Sequence, residues 1–402
     1  MGFDVAAVRT HFPALATGVA YFDGPGGSQV PRQVAHAVAS TLTAGISNRG
    51  PLTAASRLAD DVVAAARSAM ADLLGATPAG IVFGRSMTAL TYDLSRTMAK
   101  TWNDGDEVVV TGLDHDANIR PWIQAAGATG GRARVRVAEP DPVTAELTVE
   151  AVASVLSDRT RVVAVTGASN LVGTRPDLPA IAAAVHAAGA LFVVDGVHLT
   201  PHAPVDVTSI GADVYLCSPY KFLGPHCGVL AASRELLGSL HPDKLRPSSD
   251  EVPERFEFGT LPYELLAGTT AAVDFLAALT PGRADRRSRL LASMGAVEAN
   301  EGRLFSHLLD GLAAIRTVRL VGSPAVRTPT ALFTLDGIDP LDVSTQLAEA
   351  GVNAPAGSFY AIEAADRLGL GVAGGVRAGL APYTDETDVD RLLAGVAEVA
   401  AS

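Results

Sequence analysis

Only three of the 31 basic residues are lysines: Lys100, Lys221 and Lys244. In a chain this rich in arginine and alanine, a lysine inside an apolar segment suits a task that arginine cannot perform. Arginine stays protonated, whereas a lysine of lowered pKa offers a free amine that condenses with a carbonyl. Lys221, in YLCSPYKFLGPHCGVL, is such a lysine. Two other polar residues precede it at regular intervals. Asp195 lies 26 residues before Lys221, and Asn170 lies 25 residues before Asp195. Each interval is about the length of one βα unit, so the three can stand side by side at one edge of a sheet.

The elements that would place them there are legible between about Gly80 and Leu230. Short apolar runs alternate with helical patterns: Ile81-Val82-Phe83, Glu107-Val108-Val109-Val110, Val162-Val163-Ala164-Val165, Leu191-Phe192-Val193-Val194 and Asp213-Val214-Tyr215-Leu216. Such β-branched runs, apolar on both faces, predict strands of a mainly parallel sheet covered by helices on both sides. DLPAIAAAVHAAGA reads as a crossover helix ending at Gly189. After about residue 265 the pattern shifts to long helices (Leu265 to Ala278, Arg286 to Ile315) and then a shorter αβ region. The expectation is a large domain over 15–265 and a smaller one over 266–402, with residues 1–14 packing on the latter.

Ligands of open α/β sheets bind beyond the carboxyl ends of the strands. The residues just after the runs are Arg85-Ser86-Met87-Thr88, Asp114 to Asn118, Ser169-Asn170, Asp195 to His198 and Ser218 to Lys221, polar or ionisable clusters in every case. A lysine, an aspartate and a set of hydroxyls at one crevice suit pyridoxal 5'-phosphate. The lysine forms the Schiff base, the aspartate keeps the pyridine nitrogen protonated, and a helix N-terminus holds the phosphate. Taken singly, each residue has a plainer reading. Asp195 is also a strand-end cap, Lys221 a loop lysine, and Ser86 to Thr88 the cap of the helix TALTYDLSRTMAK. Gly24-Pro25-Gly26-Gly27 lacks the spacing of a dinucleotide-binding loop.

VVDGVHLTPH followed by YLCSPYKFLGPHCGVL resembles the cofactor-binding core of class V pyridoxal-phosphate aminotransferases, in particular their cysteine desulfurase-like group. YFDGPGGSQVP, SNRGPLTAAS, GLDHDANIRPW, RFEFGT and VRAGLAPYTDETDVDRLL extend the resemblance over nearly the whole chain. It implies fold type I (aspartate-aminotransferase-like), an α/β large domain with a mainly parallel central sheet plus a smaller α/β C-terminal domain, and a homodimer with sites at the subunit interface. Carried over by motif, Lys221 is the Schiff-base lysine, Asp195 the pyridine partner, and His198 and Asn170 lie near the ring hydroxyl. Ser86, Met87, Thr88, Ser218 and Tyr220 surround the cofactor. Gly259 and Thr260 fall where the neighbouring subunit reaches the phosphate. Arg377 matches the clamp for the substrate carboxylate, with Asn48, Arg49 and Ser358 as weaker substrate-side candidates.

The chain departs from the desulfurase pattern twice. The loop that carries the persulfide-forming cysteine corresponds to Val352 to Tyr360, which has no cysteine. Cys217 and Cys227 sit in apolar strands and read as small core residues. Counting back from Ala117-Asn118, the position of the desulfurases' ring-stacking histidine is Asp116, with His115 one residue earlier. The DHD triplet has no further ligands at metal-site spacing, so no metal is expected.

The resulting expectation is a Schiff-base enzyme that deprotonates Cα of an amino acid and cleaves a carbon–sulfur bond of a cysteine-type substrate. Transamination, epimerisation and a cofactor-binding subunit without turnover stay open. The formal charge of −12 argues against nucleic acid and anionic membranes as partners. The absence of a basic–apolar leader or a long apolar span points to the cytoplasm.

Overall fold

The computed structural model describes residues 3–401; Met1, Gly2 and Ser402, which fall at the ends of the expected domains, lie outside them. A seven-stranded sheet runs in the spatial order Ile81–Gly84, Gly228–Ala232, Val214–Cys217, Leu191–Asp195, Thr160–Thr166, Glu107–Thr111, Arg134–Ala138. All five apolar runs became strands. Leu191–Asp195 pairs in parallel with both Thr160–Thr166 and Val214–Cys217, so the residues that follow these strands emerge at one edge.

One strand of this sheet lay outside the sequence reading, and a second, expected to start at Cys227, runs in a direction that reading did not give. Arg134–Ala138 alternates arginine with valine because it is an edge strand with one solvated face. Gly228–Ala232 is antiparallel to both its neighbours, Val214–Cys217 and Ile81–Gly84. It returns the chain through the short loop that carries Lys221. Gly228 permits this path, since a Cβ there would stand 2.2 Å from the backbone carbon of Ser86.

The helices follow their sequence signals. Ser86 caps Met87–Ala99 by accepting the Ala89 N–H at 3.1 Å. Leu178–Ala187 begins at the Asp177 cap and is followed by Gly189 in the left-handed region at φ 75°. Both faces of the sheet are covered by apolar clusters. One is centred on Val163, Phe192 and Leu276, the other on Val108, Val110, Trp122 and Ala164.

A four-stranded antiparallel sheet, in the order Ala356–Gly357, Gly375–Gly379, Thr330–Leu335, Val318–Val321, packs over a third cluster with Leu304, Phe333 and Val396. The N-terminal Ala20–Tyr21 pairs in parallel with Val352–Asn353. Arg9 binds Asp385 at 3.0 Å and Asp388 at 2.5 Å, and Phe12 packs on Phe275 and Tyr383. Among the described residues, no helix is long and apolar enough to cross a membrane.

Candidate active site

Lys221 ends the short 3-10 turn Pro219–Lys221 that leaves the strand Val214–Cys217. The turn is pinned to the N-terminal loop: Ser28 donates its N–H and its hydroxyl to the Tyr220 carbonyl, at 3.1 and 3.0 Å. The Lys221 amine donates to the carbonyls of Pro25 and Gly26, the latter at 2.9 Å. Burial lowers its pKa to about 8; the nearby Arg377 charge adds to this, while Asp23 and Asp195 oppose it.

Asp195 closes the neighbouring strand and is buried, with one carboxylate oxygen accepting the Val197 N–H at 3.0 Å. Burial raises its pKa to about 6, against the pull of that hydrogen bond and of Lys221. His198, three residues on, is buried against the small sheet, with Nε2 2.9 Å from Thr330 Oγ1. Burial, His202, Arg377 and Lys221 all push its pKa well down, so the ring is neutral.

A cavity of about 600 Å³ opens above these groups. Its wall brings together Lys221, Asp195, His198, Asn170, Ser86, Met87, Thr88, Ser218, Tyr220, Asp116 and Arg377. Arg377 enters from the small-sheet strand Gly375–Gly379 and is almost wholly buried. It binds Asp23 at 2.7 Å and the Asn170 carbonyl at 3.0 Å. Burial lowers its pKa and Asp23 offsets the fall.

Five candidates stay outside this wall. Arg49 is engaged by Asp60 at 2.7 Å and Glu254 at 3.4 Å, and its neighbour Asn48 is exposed. Gly259 and Thr260 are exposed, and Thr260 lines a different cavity, of about 810 Å³, beside Phe258 and His226. Ser358 is passed over while Phe359 and Tyr360 line the site.

Asp116 and His115, between which the sequence left the ring-side place open, differ in their partners. Both Asp116 and His115 touch the cavity, but Asp116 turns to Arg120 at 3.0 Å. Burial lowers the His115 pKa to about 4; the Lys221 and Arg377 charges add to this, and Asp116 opposes it. Its Nδ1 accepts the Ala117 N–H at 2.9 Å, leaving the proton of the neutral ring on Nε2. The Asp116 carboxylate is bound by Arg120, one helical turn on.

Sequence reading gave no role to Asp23, Pro25 and Gly26, which hold the two cations, nor to Arg120 and Phe359. All five lie in quoted motifs or the cysteine-free loop, but only the fold shows that their atoms meet.

Pyridoxal 5'-phosphate fits the residues present. The Asn170 amide oxygen and His198 Nδ1 are buried without a hydrogen-bond partner, and a hydroxyl-bearing ring against that wall would engage them. Asp195 keeps carboxylate capacity beyond its single backbone contact. At the other end, the first-turn N–H groups of Met87 and Thr88 cannot be reached by any helical carbonyl. They suit a phosphate together with the Ser218 and Thr88 hydroxyls.

A lysine and an aspartate at the carboxyl ends of adjacent parallel strands, with a helix N-terminus opposite, define the fold type I class of pyridoxal-phosphate enzymes. The sequence matches the class-V aminotransferase family over residues 20–392, and the chain belongs to that family. It is 35% identical to an uncharacterized protein of Mycobacterium tuberculosis, over 99% of this chain and 100% of that one. It is 31% identical to a probable cysteine desulfurase 2 of Mycobacterium leprae, over 98% of this chain and 96% of that one. The crystal structure of the cysteine desulfurase CsdA from Escherichia coli matches with a TM-score of 0.86 at 27% identity, covering 98% of each chain. The chain is thus a pyridoxal-phosphate-dependent enzyme of the cysteine desulfurase-like group.

Proposed function

We propose that this enzyme cleaves the carbon–sulfur bond of a cysteine-type amino acid by β-elimination and passes no sulfur through a persulfide of its own. The observation that carries the reading is a pairing of presence and absence. The lysine, aspartate and arginine converge on one cavity, while the loop above it, Val352 to Tyr360, holds no thiol. Cys217 and Cys227 are buried in the core; burial raises the Cys217 thiol far above its usual range and the Cys227 thiol to about 11.

The cofactor, when bound, supplies an electron sink for negative charge at the substrate Cα. Lys221 would hold it covalently, and its amine, once free in this buried site, would take the Cα proton on Nζ. Asp195 holds a proton on the pyridine nitrogen. Asn170 and His198 orient the ring through its hydroxyl, and Ser86, Met87, Thr88, Ser218 and Tyr220 hold the phosphate end and its surroundings. His115, neutral at physiological pH, covers the ring plane, and Asp116 with Arg120 borders the mouth. Arg377 receives the substrate carboxylate.

Gly259 and Thr260, exposed and away from this cavity, suit contact with the phosphate of a second copy. On this reading the enzyme is a cytoplasmic homodimer of large (15–265) and small (266–402) domains that needs no nucleic acid or membrane partner. Asn48, Arg49 and Ser358 stay as weaker substrate-side candidates.

The test is product formation by the cofactor-loaded enzyme with cysteine, cystine and S-substituted cysteines, assaying pyruvate without added keto acid. Catalytic pyruvate supports elimination. Conversion of the cofactor to its amine form without pyruvate would make the protein an aminotransferase and overturn the proposal.

A further inference from the structure

The loop Val352 to Tyr360, which stands where desulfurases carry their cysteine, is firmly held at its end. Phe359 and Tyr360 are consecutive non-glycine residues in the left-handed region, at φ 53° and 58°. Such conformations persist only where the surroundings over-determine them. Here the Asn170 side-chain N–H donates to the Phe359 carbonyl at 2.9 Å, and the Asp116 N–H donates to the Tyr360 carbonyl at 2.7 Å. The Tyr360 ring stacks on His115 with centroids 5.6 Å apart. The Phe359 ring lies on the Arg377 guanidinium, its centroid 3.6 Å from Cζ.

These contacts close a triangle. Asn170 holds the Phe359 carbonyl through its side chain and one arm of Arg377 through its own carbonyl, and Phe359 covers the guanidinium face. Asp23 takes a second arm at 2.7 Å, while Nε is buried without a partner. A planar guanidinium with one face covered and two arms tethered keeps one orientation at the cavity wall, with Nε–H and the remaining Nη hydrogens left to donate. An arginine on an uncovered stem would surrender side-chain freedom on each binding event.

We infer that Phe359 is a positioning residue for substrate: by lying on Arg377 it sets the guanidinium plane that receives the α-carboxylate, so the former sulfur-carrier loop serves as a carboxylate-orienting lid. This rests on the reading of Arg377 as the carboxylate clamp. The position asks for a flat π face, and an aliphatic side chain of similar size does not supply one.

The test is equilibrium binding of two probes to the cofactor-loaded protein, read from the absorbance band of the bound cofactor. L-alanine carries the carboxylate and ethylamine lacks it. Wild type prefers alanine. Phe359→Ala and Phe359→Leu should each lose about tenfold of that preference, the scale a ring over a desolvated guanidinium supplies, with ethylamine affinity unchanged. Phe359→Tyr should restore it to within about twofold, as expected for a retained π face. Phe359→Leu keeps the apolar volume and covers the case in which the alanine variant fails to fold. A merely structural phenylalanine would shift both probes together, and either that result or an unchanged preference overturns the inference. Arg377→Ala separates the two levels. If it abolishes the preference while the Phe359 variants keep it, only the lid role falls. If it leaves the preference intact, the clamp reading falls and takes the inference with it.

Discussion

Replacing Lys221 with methionine in the cofactor-free protein should make the fold more stable near neutral pH while removing the covalent chromophore of the loaded enzyme. Methionine keeps the unbranched stem and deletes the charge. The lysine's pKa is about 8 in the fold against a usual value of 10.5. The unfolded chain therefore binds the proton more readily, and the fold loses stability as pH falls from 10.5 toward 8, below which the loss is constant. Those two values correspond to at most about 3 kcal/mol of penalty at pH 7 and about 2 kcal/mol at pH 9. The lost hydrogen bonds to Pro25 and Gly26 oppose the gain by about 1 kcal/mol each, but they do not titrate. The measurable quantity is therefore the change in the mutant–wild-type difference between pH 7 and pH 9, about 1 kcal/mol in urea denaturation, with the mutant's advantage larger at pH 7. A difference that does not vary with pH would refute the buried, desolvated lysine. A Lys221 variant that still formed the covalent chromophore would refute its chemical role.

Asp195→Asn should cut turnover by at least about a hundredfold, as loss of a preorganised charge at a reacting centre does. Its carboxyl is raised to about 6, so the wild-type cofactor-free fold gains stability as pH falls from 6 toward 4, and the variant should lack that gain in acid denaturation curves. His115→Ala should weaken cofactor retention about three- to tenfold, the worth of one aromatic contact, and His115→Phe should largely restore it in equilibrium dialysis. If His115→Phe also loses the cofactor, stacking is not the role of this ring. Arg67→Ala should destabilise the fold by about 3–5 kcal/mol in urea denaturation, because it leaves the buried Glu257 carboxylate without its cation. Arg67 and Glu257 are both buried and meet at 2.8 Å.

The large sheet was legible because its strands are buried on both faces and so print uninterrupted apolar runs. Where that condition fails, the print fades. Arg134–Ala138 has only one covered face, and its arginines break the run. Gly228–Ala232 is as apolar as its neighbours, and its antiparallel direction depends on the length of the loop before it. The small sheet was harder still, because two-residue pairings such as Ala356–Gly357 with Gly375 and Val376 depend on partners about twenty residues apart. Local pattern carries no record of such pairings.

The site divides along a similar line. Lys221, Asp195, Asn170 and His198 were readable because each sits just after a strand or strand end, where one-dimensional spacing maps directly onto a sheet edge. Arg377 was readable only through its motif, since it reaches the cavity from a different sheet. The choice between His115 and Asp116 could not be made from spacing at all, because the two are adjacent. The two differ only in the fold, where Arg120 binds the carboxylate one turn later and the Ala117 N–H donates to the imidazole. The same logic explains why Asp23 stayed hidden. The sequence places it about 350 residues from Arg377, yet in the fold it is the buried arginine's only acidic partner among the described residues. A site holding Lys221 and Arg377 close together needs that carboxylate: burial lowers the pKa of both, the arginine's charge lowers the lysine's further, and Asp23 offsets the fall in each. Its electrostatic part becomes visible only once the two cations are seen to share one cavity.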